Sequence, residues 1–284
     1  MRFATIQLNG HDQPAVVDGG QLIGLSDAGF PDVLSVIAGG ADALDRVRRH
    51  VHAPRTNSPL PFEHAAFRAP IPRPPKIICI GLNYRDHAAE AKMAIPDVPT
   101  VFSKYNTSIT GHGCPIVLPK NSAKPDYEAE FAVVIGKGGR HIPADRWREH
   151  VFGYTIVNDV SARDFQLATS QWMMGKTFDT FAPMGPVIVT ADEIADPHNL
   201  RIGTRVNGEQ LQDGNTSNLI FGVDKLIAFL SSVFTLEPGD VISTGTPAGV
   251  GFAYKPPKWL KAGDTVEVEV EGIGTLVNPV VAEE

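Results

Sequence analysis

Along residues 2–25 the side chains fall into two alternating rows, with Phe3, Thr5 and Gln7 on one side and Ala4, Ile6 and Leu8 on the other. A repeat of two is the strand repeat, and Asn9-Gly10 and Gly19-Gly20 supply tight turns, so a small antiparallel meander is predicted. The repeat then lengthens. Residues 31–38 and 41–51 read as two short helices divided by Gly39-Gly40. Pro70, Pro72, Pro74 and Pro75 withhold N–H donors in close succession, which marks an extended linker. A boundary is placed there, with residues 1–70 as a small N-terminal β-rich domain and residues 71–284 as a larger catalytic domain.

From residue 76 the apolar runs are short and strand-like: 76–80, 128–135, 154–157, 187–190, 201–206, 240–243 and 265–270. Turn residues separate them, Gly136–Gly139 among these. Helical patterns interrupt them only around residues 86–91 and 223–232. In the second, Leu226, Ile227 and Leu230 form one stripe, which reads as core packing. Strands and helices do not alternate regularly, so a doubly wound parallel sheet fits poorly. The expected class is α+β, predominantly β, built on mixed sheets.

Composition narrows the partners. A net charge of −7 argues against nucleic acid or an anionic membrane surface as the main partner. No apolar stretch approaches the ~20 residues of a membrane helix. Cys79 and Cys114 are the only cysteines and show no zinc or redox spacing, so neither a disulfide framework nor a zinc site is expected. With an N-terminus that lacks the layout of a signal peptide, these features lead to the expectation of a cytoplasmic protein.

The most informative segment is Asp126-Tyr-Glu128-Ala-Glu130-Phe-Ala-Val-Val-Ile135. Period two puts Glu128 and Glu130 on one face of a strand that is otherwise apolar. Two adjacent buried carboxylates repel and resist desolvation, so a counter-charge is needed. Asp159 follows a neighbouring strand-like run and can complete a three-oxygen site, which favours Mg²⁺ or Mn²⁺ over zinc or copper. The alternative is a sheet edge with two solvated glutamates.

His87 and Glu90 lie three apart on one helix face, after a possible N-cap at Asn83 or Asp86. A carboxylate beside an imidazole orients the ring and raises its basicity, which suits a general base; an exposed polar pair is the plainer reading. Lys176, among Trp172 and Phe178, could stabilise an oxyanion or merely extend along apolar surface to water. The Gly-rich run 245–251 is no Walker or GxGxxG loop, so no nucleotide or organic cofactor is expected, although its backbone could bind an anion. Arg163 and Asp164 read as a structural ion pair, with Arg85 or Arg163 available for a second substrate carboxylate.

The motifs IGLNYRDHAAE, DYEAEFAVVIG, GYTIVNDVSARDFQ, RVNGEQLQDGNTS and PGDVISTGTPAGVG, in this order, resemble the fumarylacetoacetate hydrolase superfamily over residues 76–281. KTFDTFAPMGP, ADPHNLRI and VEGIGTLVNPV are most similar to its domain-containing protein 2 branch. The resemblance implies a mixed β-sheet roll, usually dimeric, with a small β-rich N-terminal domain. It implies a divalent metal on Glu128, Glu130 and Asp159, a lid pair in His87 and Glu90, an active-site lysine in Lys176, and substrate contacts from Gln166 and Thr246.

The implied substrate is a small anionic 2-oxo acid. The leading expectation is hydrolysis of a carbon–carbon bond in an acylpyruvate or fumarylpyruvate, with His87 and Glu90 activating water and Lys176 holding the oxyanion. The same enolate chemistry without a nucleophilic water gives oxaloacetate tautomerisation or decarboxylation, or hydroxydienoate isomerisation. A protein that binds 2-oxo acids without turnover is the remaining alternative.

Overall fold

The structure, a computed structural model, describes residues 1–54 and 59–284. Its class is α+β, predominantly β. The large sheet runs in the order Leu60–Pro61, Gln21–Gly24, His11–Asp18, Arg2–Leu8, Ala182–Thr190, Val151–Asn158, Ala129–Ile135, Val241–Ser243, Ile77–Gly81, Thr100–Ser103. Most neighbours are antiparallel, but Val241–Ser243 and Ile77–Gly81 are parallel, so the sheet is mixed. A second sheet orders Glu209–Asn215, Arg201–Val206, Thr265–Val270, Gly274–Ala282 and Ile116–Leu118.

The strand Ala129–Ile135 is buried at every position, because both of its faces are covered. Phe131, Val133 and Ile135 join a core shared with Ile202, Val266 and Val268 of the second sheet. Ala132 and Val134, on the opposite face, join a core with Val36, Ile37 and Val47 of the two N-terminal helices. Three layers result: helices, large sheet, second sheet. The N-terminal meander continues the large sheet, with Arg2 opposite Val189 and Phe3 opposite Ile188.

The two predicted N-terminal helices are Val33–Ala38 and Gly40–His52. Asp32 caps the first by accepting from the Ser35 N–H at 2.7 Å. Gly40 takes the left-handed conformation (φ 56°) that lets the chain re-enter helix at once. The helix Arg85–Glu90 corrects one expectation. Its N-cap is Tyr84 with no side-chain cap bond, while Asn83 is wholly buried and laces the strand ends together through Thr244 O, Phe221 O and Phe221 N–H. Among the described residues, no helix is long and apolar enough to cross a membrane. Cys79 and Cys114 are both free.

Candidate active site

Strand register builds the acidic centre. Ala129 lies opposite Asn158 and Glu130 opposite Val157, so the residue after Asn158 arrives beside Glu128. The Asp159 N–H donates to Glu128 O at 2.9 Å and closes that junction. Carboxylate oxygens of Glu128, Glu130 and Asp159 lie within 4.8 Å of one another. Their exposures of 5%, 1% and 0% rule out the solvated-edge alternative.

Buried cations answer part of this charge. Lys176 Nζ reaches Glu128 Oε2 at 2.7 Å and Asp159 Oδ2 at 2.8 Å. Lys176 is 2% exposed, so it does not extend to water. Its placement depends on Gly175, where a Cβ would stand 2.3 Å from the Gln166 backbone nitrogen; only glycine lets the helices Arg163–Gln166 and Met173–Lys176 approach so closely. Lys104 Nζ meets Asp159 Oδ1 at 2.5 Å. Sequence reasoning missed this lysine, because the short strand Thr100–Ser103 that delivers it went unread.

The carboxylates divide accordingly. Burial alone would push the Glu128 carboxyl up, but Lys176 and Arg163 outweigh it and hold the group at about 2. Glu130 goes the other way, pushed well above its ordinary range by burial and by the charges of Asp159 and Glu128. Its hydrogen bonds come from the neutral donors Ser243 Oγ at 2.5 Å and Gly245 N–H at 3.0 Å. Three close oxyanions with no nitrogen or sulfur donor, one short of counter-charge, fit a hard divalent cation.

His87, Gln166, Lys176 and Thr246 line one open cavity of about 130 Å³ together with Glu128 and Glu130. His87 Nδ1 stands 3.2 Å from Glu90 Oε2. The other Glu90 oxygen accepts from the Gly249 N–H at 2.9 Å, which ties the helix Arg85–Glu90 to the Gly-rich loop. The Gly-rich run is thereby tied to the His87–Glu90 pair. Arg85 is not brought to the cavity; its guanidinium is exposed and donates to the carbonyls of Asn218 and Leu219.

Arg163 and Asp164 do not pair with each other, which corrects the sequence reading. Arg163 Nε meets Asp126 at 2.8 Å and Nη1 meets Glu128 at 2.7 Å. The chain turns between the two residues, and Asp164 accepts instead from Ser122 Oγ and the Ala123 N–H, both at 2.8 Å. Burial works against the Asp164 charge, but the bonds from Ala123, Ser122 and Phe165 outweigh it and hold the group below its ordinary 3.8. A depressed carboxyl contributes stability that is present above the unfolded value and lost as pH falls through the folded one. Asp164→Asn is therefore expected to cost about 1 kcal/mol at neutral pH, allowing for solvent screening. Urea melts across pH should show this deficit shrinking as the pH falls below 3.8.

Fold and site together define a carboxylate-centred enzyme for small anionic substrates. Residues 76–281 match the family described as Fumarylacetoacetate (FAA) hydrolase C-terminal, and the chain belongs to that family. It is similar to the human protein named oxaloacetate tautomerase FAHD2A, mitochondrial, at 46% identity over 93% of this chain and 85% of that relative. Among solved structures it is similar to fumarylacetoacetate hydrolase from psychrophilic Exiguobacterium antarcticum, with a TM-score of 0.86 and 39% identity over 100% of both chains. It is also similar to maleylpyruvate hydrolase from Sphingobium sp. SYK-6 in complex with manganese(II) ion and pyruvate, with a TM-score of 0.85 and 28% identity over 100% of both chains.

The human relative's name corrects the expectation of a cytoplasmic protein. Compartment is set by targeting information, which the charge, cysteine usage and core of a folded domain do not record.

Proposed function

We propose that the chain is a Mg²⁺- or Mn²⁺-dependent oxaloacetate tautomerase. The observation that carries this reading is Arg163. Its Nε and Nη1 are committed to Asp126, Glu128 and Gln166, while Nη2 is buried without a partner. A buried unpaired guanidinium N–H is costly unless a ligand meets it. Because Nη1 is anchored on a triad carboxylate, Nη2 offers a carboxylate seat next to the cation site. Much of the rest of the cavity lining is apolar, with Met93, Phe102, Leu167 and Trp172. A small diacid such as oxaloacetate suits a cavity of about 130 Å³ that offers one cation site and one unpaired guanidinium N–H among apolar side chains. The activity in the human relative's name supports the same substrate.

Glu128, Glu130 and Asp159 would hold the divalent cation, which when bound would supply Lewis-acid stabilisation of negative charge on the substrate. Tautomerisation moves one proton between C3 and the 2-oxo oxygen and consumes no water. With the Glu90 carboxylate beside Nδ1, the His87 ring is oriented to donate there and to keep Nε2 as the proton acceptor. In this reading His87 takes the C3 proton and returns it to oxygen, and the Lys176 ammonium donates a hydrogen bond to that oxygen while it is charged.

Decay of enol-oxaloacetate absorbance by Mn²⁺-loaded protein, without release of pyruvate or CO₂, is the expected result. His87→Gln is expected to slow it about 10²–10⁴-fold with Mn²⁺ affinity unchanged. Stoichiometric pyruvate from acetylpyruvate or fumarylpyruvate, with no catalysed enol decay, would move the assignment to the carbon–carbon hydrolase that the motifs suggested first. The proposed working form is a homodimer. Thr100–Ser103 ends the large sheet as an edge strand, and the exposed apolar Val98, Val101 and Tyr105 beside it suit a second copy.

A further inference from the structure

Gln212 has no place in the chemistry above, yet its amide ties the cavity wall to the acidic strand. It lies on Glu209–Asn215, opposite Thr204, and is wholly buried. Its Oε1 accepts from the Ala129 N–H at 2.9 Å and from Thr204 Oγ at 2.8 Å. Its Nε2 donates to Thr246 Oγ at 2.8 Å and to Pro247 O at 2.9 Å. All four hydrogen-bonding positions of the amide are thus filled.

The orientation of that amide is not free. A backbone N–H can only donate and a backbone carbonyl can only accept, so Ala129 demands the oxygen and Pro247 demands the NH₂ group. Thr246 Oγ must therefore accept a hydrogen bond from the Gln212 NH₂ group. Its own hydroxyl proton has no acceptor among the described residues, and Thr246 lines the cavity with Glu128, Glu130 and Lys176. A hydroxyl whose accepting role is filled from behind serves the cavity as a donor.

We infer that Gln212 is a positioning residue that holds Thr246 as a hydrogen-bond donor to a substrate carboxylate or oxyanion. The inference rests on the reading of the cavity as a 2-oxo-acid site. It also explains why one amide bonds to both ends: Ala129 lies between Glu128 and Glu130, so Gln212 fixes the Thr246 donor at a set distance from the cation-binding oxygens.

The test is a double-variant cycle read by calorimetric binding of oxalate to Mn²⁺-loaded protein, with Mn²⁺ affinity and melting temperature measured for each variant. Gln212→Glu keeps acceptors for Ala129 and Thr204 but turns the Thr246 partner from donor to acceptor, so the hydroxyl proton turns inward. Oxalate affinity is expected to fall roughly tenfold or more, the size of a hydrogen bond to a charged group. Thr246→Val is expected to weaken binding similarly, Thr246→Ser to preserve it, and the Gln212→Glu/Thr246→Val pair to bind no worse than Thr246→Val alone. Losses that simply multiply in the double variant would overturn the proposal, since the amide would then act without the hydroxyl. If Gln212→Glu does not fold, the uncharged Gln212→Met variant decides by the same cycle. Failure of the unchanged, Mn²⁺-loaded protein to bind oxalate would overturn the 2-oxo-acid reading and the proposal with it, whereas normal binding without coupling overturns the role of Gln212 alone.

Discussion

Glu130→Gln is expected to abolish productive cation binding while making the metal-free protein more heat-stable. The amide is isosteric, and its carbonyl can still accept from Ser243 and Gly245. What changes is the charge facing Glu128 and Asp159. One of three oxyanions is lost, and an NH₂ group can turn toward the other two, so Mn²⁺ affinity should fall by more than the ~10–100-fold typical of groups outside the ligand set. In the metal-free protein the same change removes a buried carboxyl that must either face the charges of Asp159 and Glu128 or hold a proton above its ordinary range, and a gain of order 1 kcal/mol corresponds to about 2–4 °C in melting temperature.

The pH dependence has a definite sign. Glu130 is raised above its ordinary 4.5, so the folded metal-free state retains a proton that the unfolded chain has already lost. Its contribution to stability therefore falls as pH rises from 4.5 through the folded value, and the glutamine variant should lack that slope. Melting curves in chelator across pH, together with Mn²⁺ titrations, check both halves. Retention of Mn²⁺ affinity within tenfold would remove Glu130 from the ligand set.

How far the site was legible depended on whether a signal lay along the chain or across it. Glu128 and Glu130 were readable as a pair because two charges in phase on an apolar strand need a counter-charge if buried, and it took the burial itself to set aside a solvated sheet edge. Asp159 was readable as the acid ending the next strand-like run, and antiparallel pairing then brought the two together. Lys104 meets Asp159 from 55 residues away, just after the four-residue strand Thr100–Ser103, whose partly and fully exposed positions give no sign of a buried lysine. Gln212 was hidden for a related reason. Glu209–Asn215 is mostly polar by composition, and the fact that matters, the burial of one amide, is created by the neighbouring sheet. Arg163 was assigned to its sequence neighbour Asp164, although side chains adjacent in a helix point in different directions and do not face each other. Layering followed a similar rule: strand types were visible, but the joining of Arg2–Leu8 to Ala182–Thr190 is a long-range pairing that no local period encodes.

Lys176→Met is expected to separate stability from catalysis. Lys176 bridges Glu128 and Asp159, and the charges of those carboxylates outweigh its own burial and keep the ammonium charged. Methionine can keep the packing against Phe102, over whose ring the ammonium sits at 5.3 Å, but it takes one buried counter-charge from the pair, leaving Glu128 with Arg163 alone and Asp159 with Lys104 alone. Removing one partner of a buried ion pair costs about 3–5 kcal/mol, so the metal-free variant should melt roughly 10 °C lower. The deficit should be largest at neutral pH. Glu128 is held at about 2 in the parent against an ordinary 4.5, and the stability this confers is present above 4.5 and lost as pH falls toward 2.

Mn²⁺ should restore most of the stability of this variant, because a divalent cation replaces the missing positive charge among the same oxygens. It should not restore turnover. The donor to the developing oxyanion is gone, and such donors are worth about 10²–10³ in rate. Melting temperature and enol-oxaloacetate decay, each measured with Mn²⁺ and with chelator, give the four values needed. Full recovery of activity with Mn²⁺ would reduce Lys176 to a counter-ion, and no recovery of stability would mean that the cation does not bind among the carboxylates Lys176 bridges. Recovery of the fold without the chemistry is the result that assigns the ammonium to the oxyanion.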